Sequence, residues 1–143
     1  MLGTVYAPVI DMLYWGVAGT GAFKLSAGIS DIKLPVRKDK TTVFTIVASK
    51  SHINRETGQF IESMKTAHKK IAYISRGSSL KLYMVAEGSA DIYPRLAPTM
   101  KWDTAAAQAV VEAAGGRVLQ YGTVMPVIYN KENLLNPWFV VSQ

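Results

Sequence analysis

The chain has 143 residues, a formal net charge of +6 and 49% hydrophobic residues, with no cysteine and two histidines. That length and composition support one folded domain with a sizeable core and exclude a disordered chain. They also exclude a disulfide framework, a thiolate metal site and a histidine-rich zinc site.

In chain order, Thr4, Val5, Tyr6 and Val9 are strand formers, and Leu13-Tyr14-Trp15 resumes the pattern after a break at Pro8 and Asp11. Two short strands are therefore predicted within residues 2–16. Gly16, Gly19 and Gly21 give a turn before a third strand at Ala22–Ser26, so this region reads as an antiparallel meander. Its first strand lies at the edge of the meander, and left open and apolar that edge favours dimerisation or aggregation. Residues 27–42, with Pro35 and the run Lys38-Asp39-Lys40, read as a surface loop or a short excursion.

Thr42–Ala48 is a buried-strand pattern. Asn54 can cap a helix running to about His68, with Phe60, Ile61, Met64 and Ala67 on one face. Ile71–Ile74 is the next strand. Ser78 or Ser79 can cap a helix through Glu87 that Gly88 closes, although Leu80, Leu82 and Met84 also alternate as in a strand. Ala90–Arg95 returns as a strand. A helix over 103–114 would bury Ala106, Ala109, Val110 and Ala113 and stop at Gly115-Gly116. Arg117–Leu119 and Trp138–Val141 are the last strands. Strands alternating with helices predict an α/β fold, a layered mixed β-sheet flanked by helices, in a single domain over residues 1–143.

No run reaches the ~20 apolar residues that span a bilayer, and the start lacks the basic and apolar regions of a secretory signal. No membrane attachment and a cytoplasmic location are the expectations. The positive charge suits anionic ligands. Lys and Arg are scattered, and the tightest cluster, Lys65, Lys69 and Lys70, reads as the solvated face of a helix, so no specific nucleic-acid binding is expected.

Three groups of residues could carry chemistry. Asp103 sits where an alanine-rich helix begins. Helix starts carry unpaired N–H groups and favour anions, so a carboxylate there can hold a cation beside a phosphate; it can equally be an N-cap. Ser78, Lys81 and Arg95 supply a hydroxyl, an ammonium and a guanidinium, the donors a phosphate needs, and can equally be a cap and two surface cations. Ser49, Ser51 and His52 follow a buried strand, where α/β proteins place ligand contacts.

The stretch Trp102-Asp103-Thr104-Ala105-Ala106, followed by Glu112-Ala113-Ala114-Gly115-Gly116, resembles the C-terminal metal motif of the inositol-monophosphatase-like phosphatases. Gly3–Val9, Gly19–Phe23, Ser49–His52, Gly77–Lys81, Ala90–Arg95 and Leu135-Asn136-Pro137 resemble that family's segments in the same order. The branch most resembled is the CysQ type, the 3'(2'),5'-bisphosphate nucleotidases. The family's acidic helix and Asp-Pro-x-Asp-Gly-Thr loop lie upstream of the matching strand and do not occur here.

The resemblance implies the C-terminal half of a two-part, Mg2+-dependent phosphomonoesterase that converts adenosine 3'(2'),5'-bisphosphate to AMP and phosphate. It implies a metal-ligand role for Asp103. It implies substrate contacts at Ser49, Ser51, His52, Gly77, Ser78, Lys81, Arg95, Asp103 and Thr104. With one carboxylate of the set, the isolated chain is expected to bind magnesium weakly and to be inactive. Two rival readings are an inositol- or sugar-phosphate phosphatase of the same superfamily and a non-catalytic domain that binds anions or a protein partner.

Overall fold

A computed structural model of the chain describes residues 1–26, 30–36, 43–49, 53–77 and 80–143. The meander is present. β1 (Leu2–Ala7), β2 (Met12–Val17) and β3 (Gly21–Ser26) run antiparallel, with a short 3-10 turn at Pro8–Ile10 between the first two. Pro8 starts that turn, and Asp11 leaves it with a left-handed φ of 46°. Residues expected to lie in a surface loop instead add a fourth strand, β4 (Ile32–Leu34), which buries Leu34 against the sheet. Three residues are too few for alternation to announce a strand.

The second sheet holds β5 (Phe44–Ala48), β6 (Ile71–Ser75), β7 (Ile92–Arg95), β8 (Arg117–Gln120) and β9 (Phe139–Ser142), in the order β6-β5-β7-β9-β8. β5 is parallel to β6 and β7, whereas β9 is antiparallel to β7 and β8. The layered mixed α/β fold expected from the sequence is present, its strands divided between two sheets because the meander pairs within itself and β5 starts a separate one.

Helix α1 (Arg55–Ala67) links β5 to β6, and α2 (Leu80–Ala86) links β6 back to β7. The two crossovers run in opposite directions along the sheet, so right-handed connections put their helices on opposite faces. α2 packs on β5, β7 and β9 and against α3 (Lys101–Ala113), which in turn packs on β1, β2, β3 and β8. α2 and α3 therefore form a layer between the sheets.

The core sits in that layer. Tyr83, Ile46, Val47, Val85, Val110, Val111, Val118, Phe139 and Val141 are almost fully buried. Tyr14 of β2 stacks on Tyr83 of α2 with ring centroids 4.5 Å apart. Lys24 of β3 reaches Glu87 at 2.9 Å, and Ser89 donates to the same carboxylate at 2.8 Å. The Lys24–Glu87 ion pair ties the first sheet to the end of α2, and Ser89 holds the carboxylate in place.

Local signals set the helix ends. The Asn54 side chain accepts from the Thr57 N–H at 2.9 Å, the cap read from the sequence. Phe60, Ile61 and Met64 face inward to differing degrees, but Ala67 is exposed at the end of α1. The segment at 80–86 is a helix, and Gly88 follows it with φ 82°. Lys81, Leu82, Tyr83, Val85 and Ala86 are all buried, so burial around the whole helix lets a false period of two show through. Whether Ser78 or Ser79 caps it lies outside the described residues.

α3 starts at Lys101, two residues before the expected position. Its buried residues are Thr104, Ala107, Gln108, Ala109, Val110 and Val111, whereas Ala106 and Ala113, expected in the core, stay partly exposed. The helix is packed from two sides, and a one-sided stripe does not describe it.

Candidate functional site

The parallel strands of the second sheet end on one side of the molecule. Ser49 follows β5, Gly77 follows β6 by two residues and Arg95 is the last residue of β7. Open α/β sheets hold ligands at such carboxyl ends. The first turns of α2 and α3 face the same place and bring Lys81, Asp103 and Thr104. A cleft of about 650 Å³ is lined by all six of these residues, with Tyr93, Trp102 and Val5. Ser51, His52 and Ser78, the other candidates, lie outside the described residues.

Lys81 is not the solvated cation of the bland reading. It is 4% exposed. Its Nζ donates to the Arg76 carbonyl at 3.2 Å and lies 5.4 Å from the centroid of the Tyr93 ring. Burial, and then the positive charge of Arg95, hold its pKa below the usual lysine value. An anion in the cleft would relieve both effects.

Arg95 is oriented by a bond from Nη2 to the Pro98 carbonyl at 3.1 Å. Its Nε is buried with no hydrogen-bond partner among the described residues. A buried donor left unpaired is costly, so a ligand oxygen has a place here. Tyr93, which the sequence reading placed in a family-like stretch without a role of its own, is buried beneath these cations. Burial pushes its phenol up to about 12, and Arg95 partly opposes the shift.

Asp103 is the third residue of α3 and exposed to the cleft. It is not the N-cap; Met100 holds that position, and Asp103 Oδ2 accepts the Met100 N–H at 2.8 Å. The carboxylate thus does part of a cap's work from inside the helix. Thr104, by contrast, is 3% exposed, and its Oγ1 lies 3.1 Å from Tyr129 Oη. Its hydroxyl serves the polar interior behind the cleft.

Asp103 suits magnesium as one ligand: a hard oxygen at a helix start, beside cations that would take the phosphate. Among the described residues it is the one carboxylate lining the cleft, and no three His, Cys, Asp or Glu side chains cluster anywhere. The residues present fit one corner of a metal site.

The sequence reading also gave Asn136 no role. It is 3% exposed, and its Nδ2 donates to the Met100 carbonyl at 2.8 Å and to Thr104 Oγ1 at 2.9 Å. The available signal was its place in Leu135-Asn136-Pro137, since Asn before Pro in a strand lead-in has no propensity reason to be buried.

This fold, with a phosphate-suited cleft at the start of an alanine-rich helix, defines the class. The chain belongs to the inositol monophosphatase family, whose model matches residues 1–137. It is 39% identical to the 3'(2'),5'-bisphosphate nucleotidase CysQ of Escherichia coli (strain K12), over 99% of this chain and 54% of that protein. It matches the crystal structure of CysQ from Bacteroides thetaiotaomicron with a TM-score of 0.93 and 44% identity, covering 99% of this chain and 57% of that one. Inositol monophosphatase-II from Staphylococcus aureus shares the fold at a TM-score of 0.72 and 17% identity, over 99% of this chain and 49% of that one. The chain spans about half the length of the curated relatives it matches. No helix among the described residues is long and apolar enough to cross a membrane.

Proposed function

We propose that residues 1–143 form the C-terminal part of a magnesium-dependent phosphomonoesterase that removes phosphate from adenosine 3'(2'),5'-bisphosphate. The observation that carries this reading is the convergence of Ser49, Gly77, Lys81, Arg95, Asp103 and Thr104 on one cleft. The similarity to CysQ proteins supports the nucleotide as substrate class.

Asp103 would hold one magnesium ion through its carboxylate. When bound, the ion supplies charge neutralisation at the phosphate and a more acidic bound water. Lys81 and Arg95 bind the phosphate oxygens; the planar guanidinium also fixes their orientation. Ser49, Ser51, His52 and Ser78 are the further substrate contacts that the family likeness implies. Trp102, 67% exposed at the rim, and Val5 add apolar surface that a nucleobase can use. That surface favours a nucleotide over an inositol or sugar phosphate, which has no flat apolar face.

One carboxylate in the described cleft supports a chain that binds substrate without turning it over. The free edge of β1, with Leu2 and Tyr6 exposed, suits pairing with a further strand. The cytoplasm, without membrane or specific nucleic-acid contacts, is the setting this reading implies.

The test is direct. The purified chain should release no phosphate from adenosine 3',5'-bisphosphate with Mg2+, yet broaden its 31P resonances. Arg95→Ala should abolish the broadening. Turnover that disappears in Asp103→Asn would overturn the inactive-half reading. No binding of bisphosphate at all would leave a domain with a non-substrate role.

A further inference from the structure

We infer that Asn136 is a positioning residue for the Asp103 carboxylate and acts through the two peptide units that flank Met100. The inference rests on the reading of Asp103 as a metal-holding group, and it names the device that aims that group.

The geometry converges on Met100. The Met100 N–H donates to Asp103 Oδ2 at 2.8 Å, and the Asp103 N–H donates to the Met100 carbonyl at 3.0 Å. Asp103 is therefore clamped to one residue, Met100, its side chain holding the peptide unit before the Met100 Cα and its N–H the one after. Met100 is the N-cap of α3, a position where helix ends usually fray.

Asn136 removes that freedom. Its Nδ2 donates to the same Met100 carbonyl at 2.8 Å and to Thr104 Oγ1 at 2.9 Å. Its backbone N–H donates to the Thr99 carbonyl at 2.8 Å, and the Lys101 N–H donates to the Leu134 carbonyl at 3.0 Å. The segment before β9 is thus bridged to both sides of Met100. The amide orientation is dictated by chemistry, because a carbonyl can only accept, so the atom facing Met100 must be the nitrogen.

The network continues inward. Tyr129 Oη lies 3.1 Å from Thr104 Oγ1 and donates to Gln108 Oε1 at 2.7 Å, and Gln108 Nε2 donates to the Val127 carbonyl at 2.9 Å. Asn136 therefore joins the exposed carboxylate to a buried, rigid polar chain. Carboxylates that hold metals are commonly fixed by such outer hydrogen bonds, and removing one costs about 10–100-fold in metal affinity.

The experiment compares the 143-residue chain with Asn136→Leu, which keeps the volume and loses the donor. Asn136→Ala is the second variant if the first does not fold, and Ile61→Ala on α1 controls for lost stability alone. NMR reads amide exchange at Met100 and the 13Cγ shift of Asp103; water-proton relaxation reads Mn2+ binding. The expected result is Met100 exchange about tenfold faster, the loss of about one hydrogen bond of local stability. The Asp103 13Cγ resonance should also move, and Mn2+ affinity should fall about 10–100-fold. Ile61→Ala should change none of the three beyond its global effect. Unchanged Met100 exchange and Asp103 13Cγ in the Asn136 variants overturn the proposal, whether or not Mn2+ binds. A wild-type chain that binds no Mn2+ instead overturns the metal-holding reading of Asp103, and the Met100 exchange still decides this one.

Discussion

Gly3 and Gly16 face each other across β1 and β2, and together they form a trough in which α3 lies. A Cβ on Gly3 would stand 2.3 Å from the Ala106 carbonyl oxygen, and one on Gly16 would stand 2.9 Å from the Val110 Cα. Both contacts are with helix backbone, which cannot yield as a side chain can. The consequence reaches the site, because α3 carries Asp103 on its first turn. Gly3→Val should cost about 1–3 kcal/mol or more through overpacking. It should also move α3 outward and weaken bisphosphate binding. Urea unfolding and 31P titration check the two effects, and a variant of unchanged stability would contradict the close approach.

Lys81 combines burial with a role toward anions, so function and stability should oppose each other there. Its lowered pKa means that the folded chain disfavours the ammonium. Lys81→Met should leave the melting midpoint unchanged or raise it, while phosphate binding weakens about tenfold or more. In the wild type, phosphate affinity should fall as pH rises through the lowered lysine pKa, where the ammonium is lost. Calorimetric titration from pH 7 upward measures this. A flat affinity would remove Lys81 from the binding set.

Tyr93 gives the fold an alkaline limit. Its folded pKa is pushed up to about 12 from an ordinary 10.0. The folded chain keeps the phenol proton longer than the unfolded chain does, so the stability is complete below pH ~10 and is lost as pH rises toward ~12. The ceiling on this loss is about 3 kcal/mol, two pKa units at ~1.4 each. Tyr93→Phe should flatten the stability profile over that range in denaturant titrations. An unaltered slope would show that the phenol does not titrate with unfolding.

Asn54 holds two elements together. Its Oδ1 caps α1 at Thr57, and its Nδ2 donates to the Leu96 carbonyl just after β7. Asn54→Ala should cost about 1–2 kcal/mol, the upper end for a lost cap, because a second bond goes with it. Asn54→Asp should recover the cap and lose the Leu96 bond. Chemical denaturation of the three proteins would separate the two contributions, and equal stability of all three would count against both.

How far the sequence could be read depended on the range of the forces involved. The meander, β5, α1, β6, β7 and β9 follow from side-chain period, glycine turns and an Asn cap, all of which act within a few residues. β4 was not legible, since Ile32–Leu34 is a strand only because β3 offers it an edge. α2 carried two periods at once, and burial on all sides decided for the helix. The start of α3 was misplaced by two residues because its N-cap, Met100, has no capping side-chain oxygen.

The candidate site divides in the same way. Residue types suited to phosphate and metal could be picked out one by one as Ser49, Lys81, Arg95 and Asp103, and their order along the chain matched a family. Local sequence determined the elements that carry them and the chemistry each side chain can offer. Only the tertiary structure decided that three strand ends and two helix starts meet in one cleft, that Lys81 is buried, and that Asn136, 33 residues after Asp103, bonds the Met100 carbonyl at the same helix start. Those outcomes depend on contacts between distant segments, whose energies exist only once both sheets have closed on the helix layer between them.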